Sequence, residues 1–297
     1  MKSEYGRFDF VCRIAIMKIS QGATCGLGLD WRKMMNPGRF YQEIEHIPVS
    51  WKDHQVYVPL FYRDFKLMSV NMLASVKKVR ALLPSRRLKP YRITPGRTIV
   101  AITAYQYRDT DLGPYNEVSV SVPVTMDRNP PMFTGILRKP PANPKAFILH
   151  LPVTTELARA LGVEMAGYPK FIADIEFVEE NDWVTCTVAA EERYILSFSG
   201  RKLALDRAPR YCLYPITYRN DYLLRSEFLI ASRQMGSSSS AQDVQIVFGD
   251  HPIAEEMKHL DLGRVVAYQY CPQAQGILTP VLESCKAERR KGEVPCL

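Results

Sequence analysis

Apolar and polar positions alternate along much of this chain. The clearest stretch is 115–124, where Val118, Val120, Val122 and Val124 fall on one side. That spacing predicts a half-buried strand and turns Glu117 to the opposite face. Segments 171–178, 183–188 and 194–198 follow at hairpin spacing, with turns at 179–182 and 190–193. Segments 55–63, 97–107, 147–153, 210–218, 222–231 and 244–248 read as further strands, and 265–270 as the last one. Helical spacing is rarer. Phe65, Met68, Met72, Val76, Val79 and Leu83 predict a helix stopped by Pro84. Leu157 and Leu161 predict a second, capped by Thr154 or Thr155 and ending at Gly162; 253–260 gives a third. Segment 236–240, Gly followed by four Ser, reads as a flexible loop, and 127–145 as a Pro-rich one. Many strands and few short helices predict a β-rich α+β fold, mostly antiparallel, its sheet closed or sandwiched.

Composition narrows the class. Of 297 residues, 46% are hydrophobic, enough for a packed core and too many for a disordered chain. Lys plus Arg exceed Asp plus Glu by 39 to 31, a net charge of +8. The basic runs at 77–80, 86–89 and 286–291 lack aromatic interleaving and match no nucleic-acid motif, so they read as solvated faces. A positive field also suits an anionic substrate. The seven cysteines are odd in number and no two are spaced as C-x-x-C, which predicts reduced thiols, no metal site and a cytoplasmic protein. The apolar run 11–17 is too short to span a membrane and is interrupted by Arg13. No nucleotide, haem or metal motif is present, so no cofactor is expected.

The chemistry centres on Gly162-Val-Glu-Met-Ala-Gly-Tyr-Pro-Lys170-Phe171. Pro169 sets the path into the strand that follows, and the pleat then sends Lys170 and Phe171 to opposite faces. A lysine beside such a turn is ordinarily a solvated surface group. Turned inward, its ammonium form is disfavoured by desolvation, and a neutral amine attacks ketones and aldehydes. Glu117 has the same two readings: an exposed strand residue, or a carboxylate in an apolar cavity working as acid or base.

The spacing of Gly162, Glu164, Tyr168, Pro169 and Lys170 resembles the signature of the acetoacetate decarboxylase superfamily. Three other stretches resemble it in the same order: Leu112-Gly-Pro-Tyr115-Asn-Glu117 with Val122-Pro-Val, Val247-Phe-Gly-Asp-His-Pro252 with Leu262-Gly263, and more weakly Tyr62-Arg63. Together they span residues 50–283. The resemblance implies a barrel-like β fold with a central cavity, a homo-oligomer, Lys170 as Schiff-base nucleophile and Glu117 as acid/base. It makes Tyr115 a pocket residue and leaves Glu164, Tyr168 and Pro169 as structural neighbours.

Three departures stand against it. Acetoacetate decarboxylase is the standing example of an amine activated by desolvation or by a neighbouring cation; its second lysine is replaced here by Phe171. The family's second glutamate falls at Ile102. Its substrate-binding arginine falls near Gln55, with Arg63 or Arg97 as stand-ins. Phe171, Ile102, Arg63 and Gln55 are therefore expected to contact substrate. The resulting expectation is a lyase decarboxylating a β-keto acid larger than acetoacetate. An aldolase or dehydratase acting on a keto-acid or polyketide-like carbonyl substrate through the same lysine is the alternative, and a non-catalytic small-molecule binding protein the third. Residues 1–50 are expected to form an extension packed on the body, 51–285 the family domain, and 286–297 a basic tail. Nucleic-acid and membrane partners are not expected.

Overall fold

The computed structural model describes residues 40–42, 44–127, 145–208 and 211–288. A hairpin of β1 (Ile47–Trp51) and β2 (His54–Val58) spans the expected boundary at residue 50. Next comes β3 (Leu60–Ser75), the longest strand. It pairs with β5 (Arg97–Thr110) on one side and β18 (Val265–Leu278) on the other. The ladder continues through β6 (Tyr115–Met126) and β7 (Lys145–Val153), with β4 (Leu88–Pro90) beside β6. A parallel partner of β7 is β8 (Lys170–Ile172). Then β9 (Asp174–Glu180), β10 (Trp183–Ala190) and β11 (Arg193–Arg201) join β17 (Val244–Phe248) in a separate four-stranded sheet.

After β12 (Asp206–Arg207), β13 (Tyr211–Arg219) lies parallel to β7. It pairs with β14 (Tyr222–Arg225) and β15 (Phe228–Ser232), and β15 in turn pairs with β18. Hydrogen-bonded pairs thus run β18-β3-β5-β6-β7-β13-β15 and back to β18, a closed ring of seven strands. Outer branches leave it at β16 (Gln234–Ser238) and β19 (Glu283–Lys286). Closure removes the exposed edges that an open sheet of this size would carry.

The strand-rich expectation holds: three short α-helices occur among the described residues. Two apolar bodies sit on the two sides of the ring wall. Met68, Val70, Ile102, Val118 and Val120 pack against Val184, Val188 and Phe198 of the four-stranded sheet. On the other side Phe65, Leu67, Tyr105, Tyr107, Tyr115 and Phe228, drawn from β3, β5, β6 and β15, fill the ring interior.

Several local expectations fail. Segment 65–83 is not one helix: residues through Ser75 are strand, and only Val76–Leu82 is helical, ending before Pro84. Because β3 is covered on both faces, it shows no period of two, and its apolar run fits a helical spacing by coincidence. The helix expected to end at Gly162 runs from Glu156 to Ala166 and stops at Gly167, whose φ of 62° is left-handed. Thr155 is its N-cap but makes no side-chain capping bond, while the Thr154 hydroxyl accepts from the Asn116 N–H at 3.0 Å. Segment 236–240 is largely strand, because β16 finds a partner in β18. The strand begun at Val265 continues to Leu278, and β19 follows it. Segment 171–178 is divided at Ala173 between β8 and β9, which belong to different sheets. The Pro-rich segment lies outside the described residues except at its two ends, and so do most of the N-terminal extension and the basic tail.

Candidate active site

Lys170 reaches its place by way of the helix Glu156–Ala166. Gly167 turns the chain back, and the Tyr168 N–H donates to the Gly162 carbonyl at 3.1 Å, closing the helix end. The Leu151 N–H donates to the Pro169 carbonyl at 3.2 Å, which docks the turn on β7. Lys170 then opens β8 opposite Leu151. Its side chain passes directly over Gly162. A β-carbon at residue 162 would lie 2.6 Å from Lys170 Cδ and 2.8 Å from Cε, so the lysine's path needs a glycine there.

Glu117 comes from the adjoining strand, β6. Val118 faces the outer core, and Glu117 faces the ring interior with Tyr115, as strand alternation dictates. The Lys170 ammonium donates to Glu117 Oε2 at 2.7 Å. The two side chains are 6% and 9% exposed, so the pair sits almost out of water. Tyrosine rings flank the amine, Tyr115 at 5.6 Å and Tyr168 at 5.8 Å from Nζ. The Tyr107 hydroxyl donates to Glu117 Oε1 at 3.4 Å, and Tyr115 donates to the Tyr62 hydroxyl at 3.4 Å. Burial pushes the hydroxyls of Tyr62, Tyr107, Tyr115 and Tyr168 far up, and the nearby Glu117 charge adds to this in each. All four stay protonated and able to donate.

The amine opens into a cavity of about 340 Å³, bounded by β2, the helix Glu156–Ala166 and residues 278–284. An amine and a carboxylate in contact at such a place can exchange a proton between them, and the amine can add to a carbonyl compound admitted to the cavity.

The expected site residues divide clearly. Lys170, Glu117, Tyr115 and Tyr168 gather together, with Pro169 fixing the turn. Glu164 lies outside: its carboxylate accepts from Lys52 at 2.8 Å, tying the helix to the β1–β2 turn. Four residues expected to contact substrate are not on the lining of this cavity. Phe171 leaves on the opposite face and packs against the outer core. Ile102 is fully buried in that core. Gln55 is exposed, although Val56 and Val58 line the cavity. Arg63 is bound to Asp111 at 2.6 Å, and Arg97 to Asp261 at 2.5 Å, both away from the lining.

Tyr107 was missed, and Tyr62 was read only as part of a weak motif and not as a neighbour of Tyr115. Tyrosine hydroxyls inside apolar strands need partners, and that requirement could have pointed to them. Tyr107, on the strand before Glu117, bonds the carboxylate where a second glutamate was looked for at Ile102.

The sequence profile "Acetoacetate decarboxylase (ADC)" matches residues 46–209, more than half of the chain. The protein belongs to the acetoacetate decarboxylase family. Solved structures agree at the level of fold. An acetoacetate decarboxylase from Legionella pneumophila is 12% identical with a TM-score of 0.58, covering 82% of this chain and 94% of its own. A second acetoacetate decarboxylase is 15% identical with a TM-score of 0.56, over 78% of this chain and 91% of the other. The enduracididine biosynthesis enzyme MppR, complexed with pyruvate, is 14% identical with a TM-score of 0.55, over 81% and 98%. No curated protein sequence matches. Among the described residues, no helix is long and apolar enough to cross a membrane.

Proposed function

We propose that this member of the family is a lysine-dependent carbon–carbon lyase that decarboxylates a β-keto acid larger than acetoacetate. Lys170 is the nucleophile and Glu117 the acid and base. One observation carries the reading: a nearly dry amine in contact with one carboxylate on the lining of a cavity.

Glu117 takes the proton of the Lys170 ammonium. The free amine adds to the ketone carbon, and the carbinolamine expels its oxygen as water with a proton returned by Glu117. The resulting iminium withdraws electrons from the neighbouring carbon. The bond to the β-carboxylate breaks, carbon dioxide leaves, and the electron pair becomes an enamine. Glu117, reprotonated from solvent water, protonates that carbon and restores an iminium. Water then adds to the iminium, releasing the ketone and the amine. The carboxylate's surroundings are apolar, and loss of its charge as carbon dioxide is favoured there.

A second reading uses the same iminium for aldol addition or dehydration. It is favoured by a related fold, since MppR has been solved with the condensation product of pyruvate and imidazole 4-carboxaldehyde, at 13% identity and a TM-score of 0.53.

The test is reductive trapping. The protein is incubated with β-keto acids and aldehydes, treated with borohydride, and its mass and modified peptide are determined. The expected result is one stable adduct at Lys170, with carbon dioxide released from the β-keto acids. An adduct without carbon dioxide selects the second reading. No adduct at Lys170 overturns both and leaves a carbonyl-binding protein without catalysis.

A further inference from the structure

Apart from the reacting amine, the cavity carries almost no charge. Among the described residues its lining holds two charged side chains, Lys170 and Glu283. Glu283 is exposed and already paired with Arg225 at 2.5 Å, so it marks the solvent edge, whereas the side chain of Lys170 is almost wholly withdrawn from solvent. Between them the walls are uncharged and mainly apolar. Val56, Val58 and Leu161 belong to one packed group with Met165 against it, and Leu278 and Val281 pack with Ala166 and Tyr168 in another. No arginine lines the cavity among the described residues, so the amine is the one cation there to meet a carboxylate.

A site built to hold a short hydrophilic keto acid would place a donor for its carboxylate, because a buried anion left unpaired is costly. Here the surface offered beyond the amine is mainly apolar, its polar side chains being the uncharged hydroxyls of Tyr57, Tyr62, Tyr168, Thr279 and Ser284 and the edge carboxylate of Glu283. At ~30 Å³ for each water-sized group, the cavity holds about ten of them. Pyruvate or acetoacetate would leave most of that apolar wall facing water.

We infer that this cavity selects a carbonyl compound bearing an uncharged apolar tail, about eight to ten carbons in all, with no charged group beyond the one next to the reacting carbonyl. This rests on the Schiff-base reading of Lys170 and names the class of molecule that the amine meets. The carbonyl lies at Lys170 and the tail along Val56, Leu161, Met165 and Leu278. An anionic tail end is disfavoured by Glu283 at the edge and by the absence, among the described residues, of a cation along the wall.

The experiment uses a homologous series of methyl ketones from acetone to 2-undecanone, with pyruvate and 8-oxononanoate as charged controls. Each is trapped on the protein with borohydride, which delivers hydride to the iminium carbon and leaves a secondary amine. Adduct at Lys170 should rise about threefold for each added methylene, peak near 2-nonanone and fall beyond. 8-Oxononanoate, equal in length to 2-nonanone but anionic at its tail, should be trapped at least about tenfold less, the cost of an unpaired buried charge. Met165→Trp should move the peak to shorter ketones while acetone is still trapped. A flat series, or pyruvate trapped as well as 2-nonanone, overturns the inference and leaves Lys170 chemistry intact. If no carbonyl is trapped, the Schiff-base reading fails, and calorimetric titration with 2-nonanone and acetone decides the apolar selection by itself. Saturable binding of the longer ketone alone sustains it, and equal or absent binding of both overturns it.

Discussion

Two lysines in this protein are withdrawn from water to the same degree, and they are placed for different work. The side chains of Lys170 and Lys66 are 6% and 7% exposed, and each donates to a glutamate. For Lys170 the partner is Glu117, itself 9% exposed, and the amine lines a cavity between two tyrosine rings. For Lys66 the partner is Glu179, 40% exposed and shared with Lys202 at 2.9 Å. That cluster links β3 to β9 of the four-stranded sheet, and Lys66 is not on the lining of the cavity that Lys170 lines. Burial of an amine alone therefore does not make a candidate nucleophile. What separates the two is whether the carboxylate is also dry and whether a substrate can arrive.

The strongest way to break this comparison is to remove each amine. Lys170→Ala should abolish the borohydride-trapped adduct, while Lys66→Met should keep it in full; peptide mapping of the trapped protein reads both. An adduct that survives at Lys66 and not at Lys170 would invert the assignment. Next come the carboxylates. Glu117→Gln should slow turnover about 10³-fold, the usual range for a lost proton-transfer group. Glu179→Gln should leave turnover within about twofold, since a solvated partner carries no step. Equal losses in the two variants would dissolve the distinction.

Gly162→Ala probes the path of Lys170. The added methyl meets Cδ and Cε, so the side chain must shift by a fraction of an ångström or more. Turnover should fall about 10²-fold through misplacement, with the far-ultraviolet spectrum unchanged. Full activity would mean that the amine finds its place by another route.

The smallest effect concerns stability against acid. Hydrogen bonds from Lys66 and then Lys202 hold the Glu179 carboxyl down to about 2, against an ordinary 4.5. A lowered carboxyl stabilises the folded state above its ordinary value, and that contribution fades as pH falls from 4.5 toward 2. Glu179→Gln should therefore reduce the melting temperature slightly at pH 7 and flatten its decline on acidification, the effect being muted by solvent. An unchanged slope would detach this cluster from acid stability.

Legibility in the sequence followed the local physics. The alternation of Val118, Val120, Val122 and Val124 was enough to place Glu117 on the face away from the outer core, because side chains on a strand must alternate. The turn at Gly167-Tyr168-Pro169 was legible for the same kind of reason, since glycine admits the left-handed backbone and proline fixes its own φ. β3 was not legible. Both of its faces are covered by two different apolar bodies, so its pattern carried no period. The positions expected from the family to touch substrate fared worst. Ile102 and Phe171 were placed by counting along the chain, and the pleat sends both into the outer core.

The sequence by itself determined that this is a strand-rich member of the acetoacetate decarboxylase family, and which lysine and which glutamate to look for. Those are statements about local periodicity and short motifs, and a chain carries them wherever it folds. Only the tertiary structure decided that Lys170 and Glu117, 53 residues apart, meet at 2.7 Å with little exposure to solvent, and that the wall beyond is mainly apolar. That outcome depends on closure of a ring whose partners are far apart in the chain, and no local pattern encodes which distant side chains will line the space it encloses.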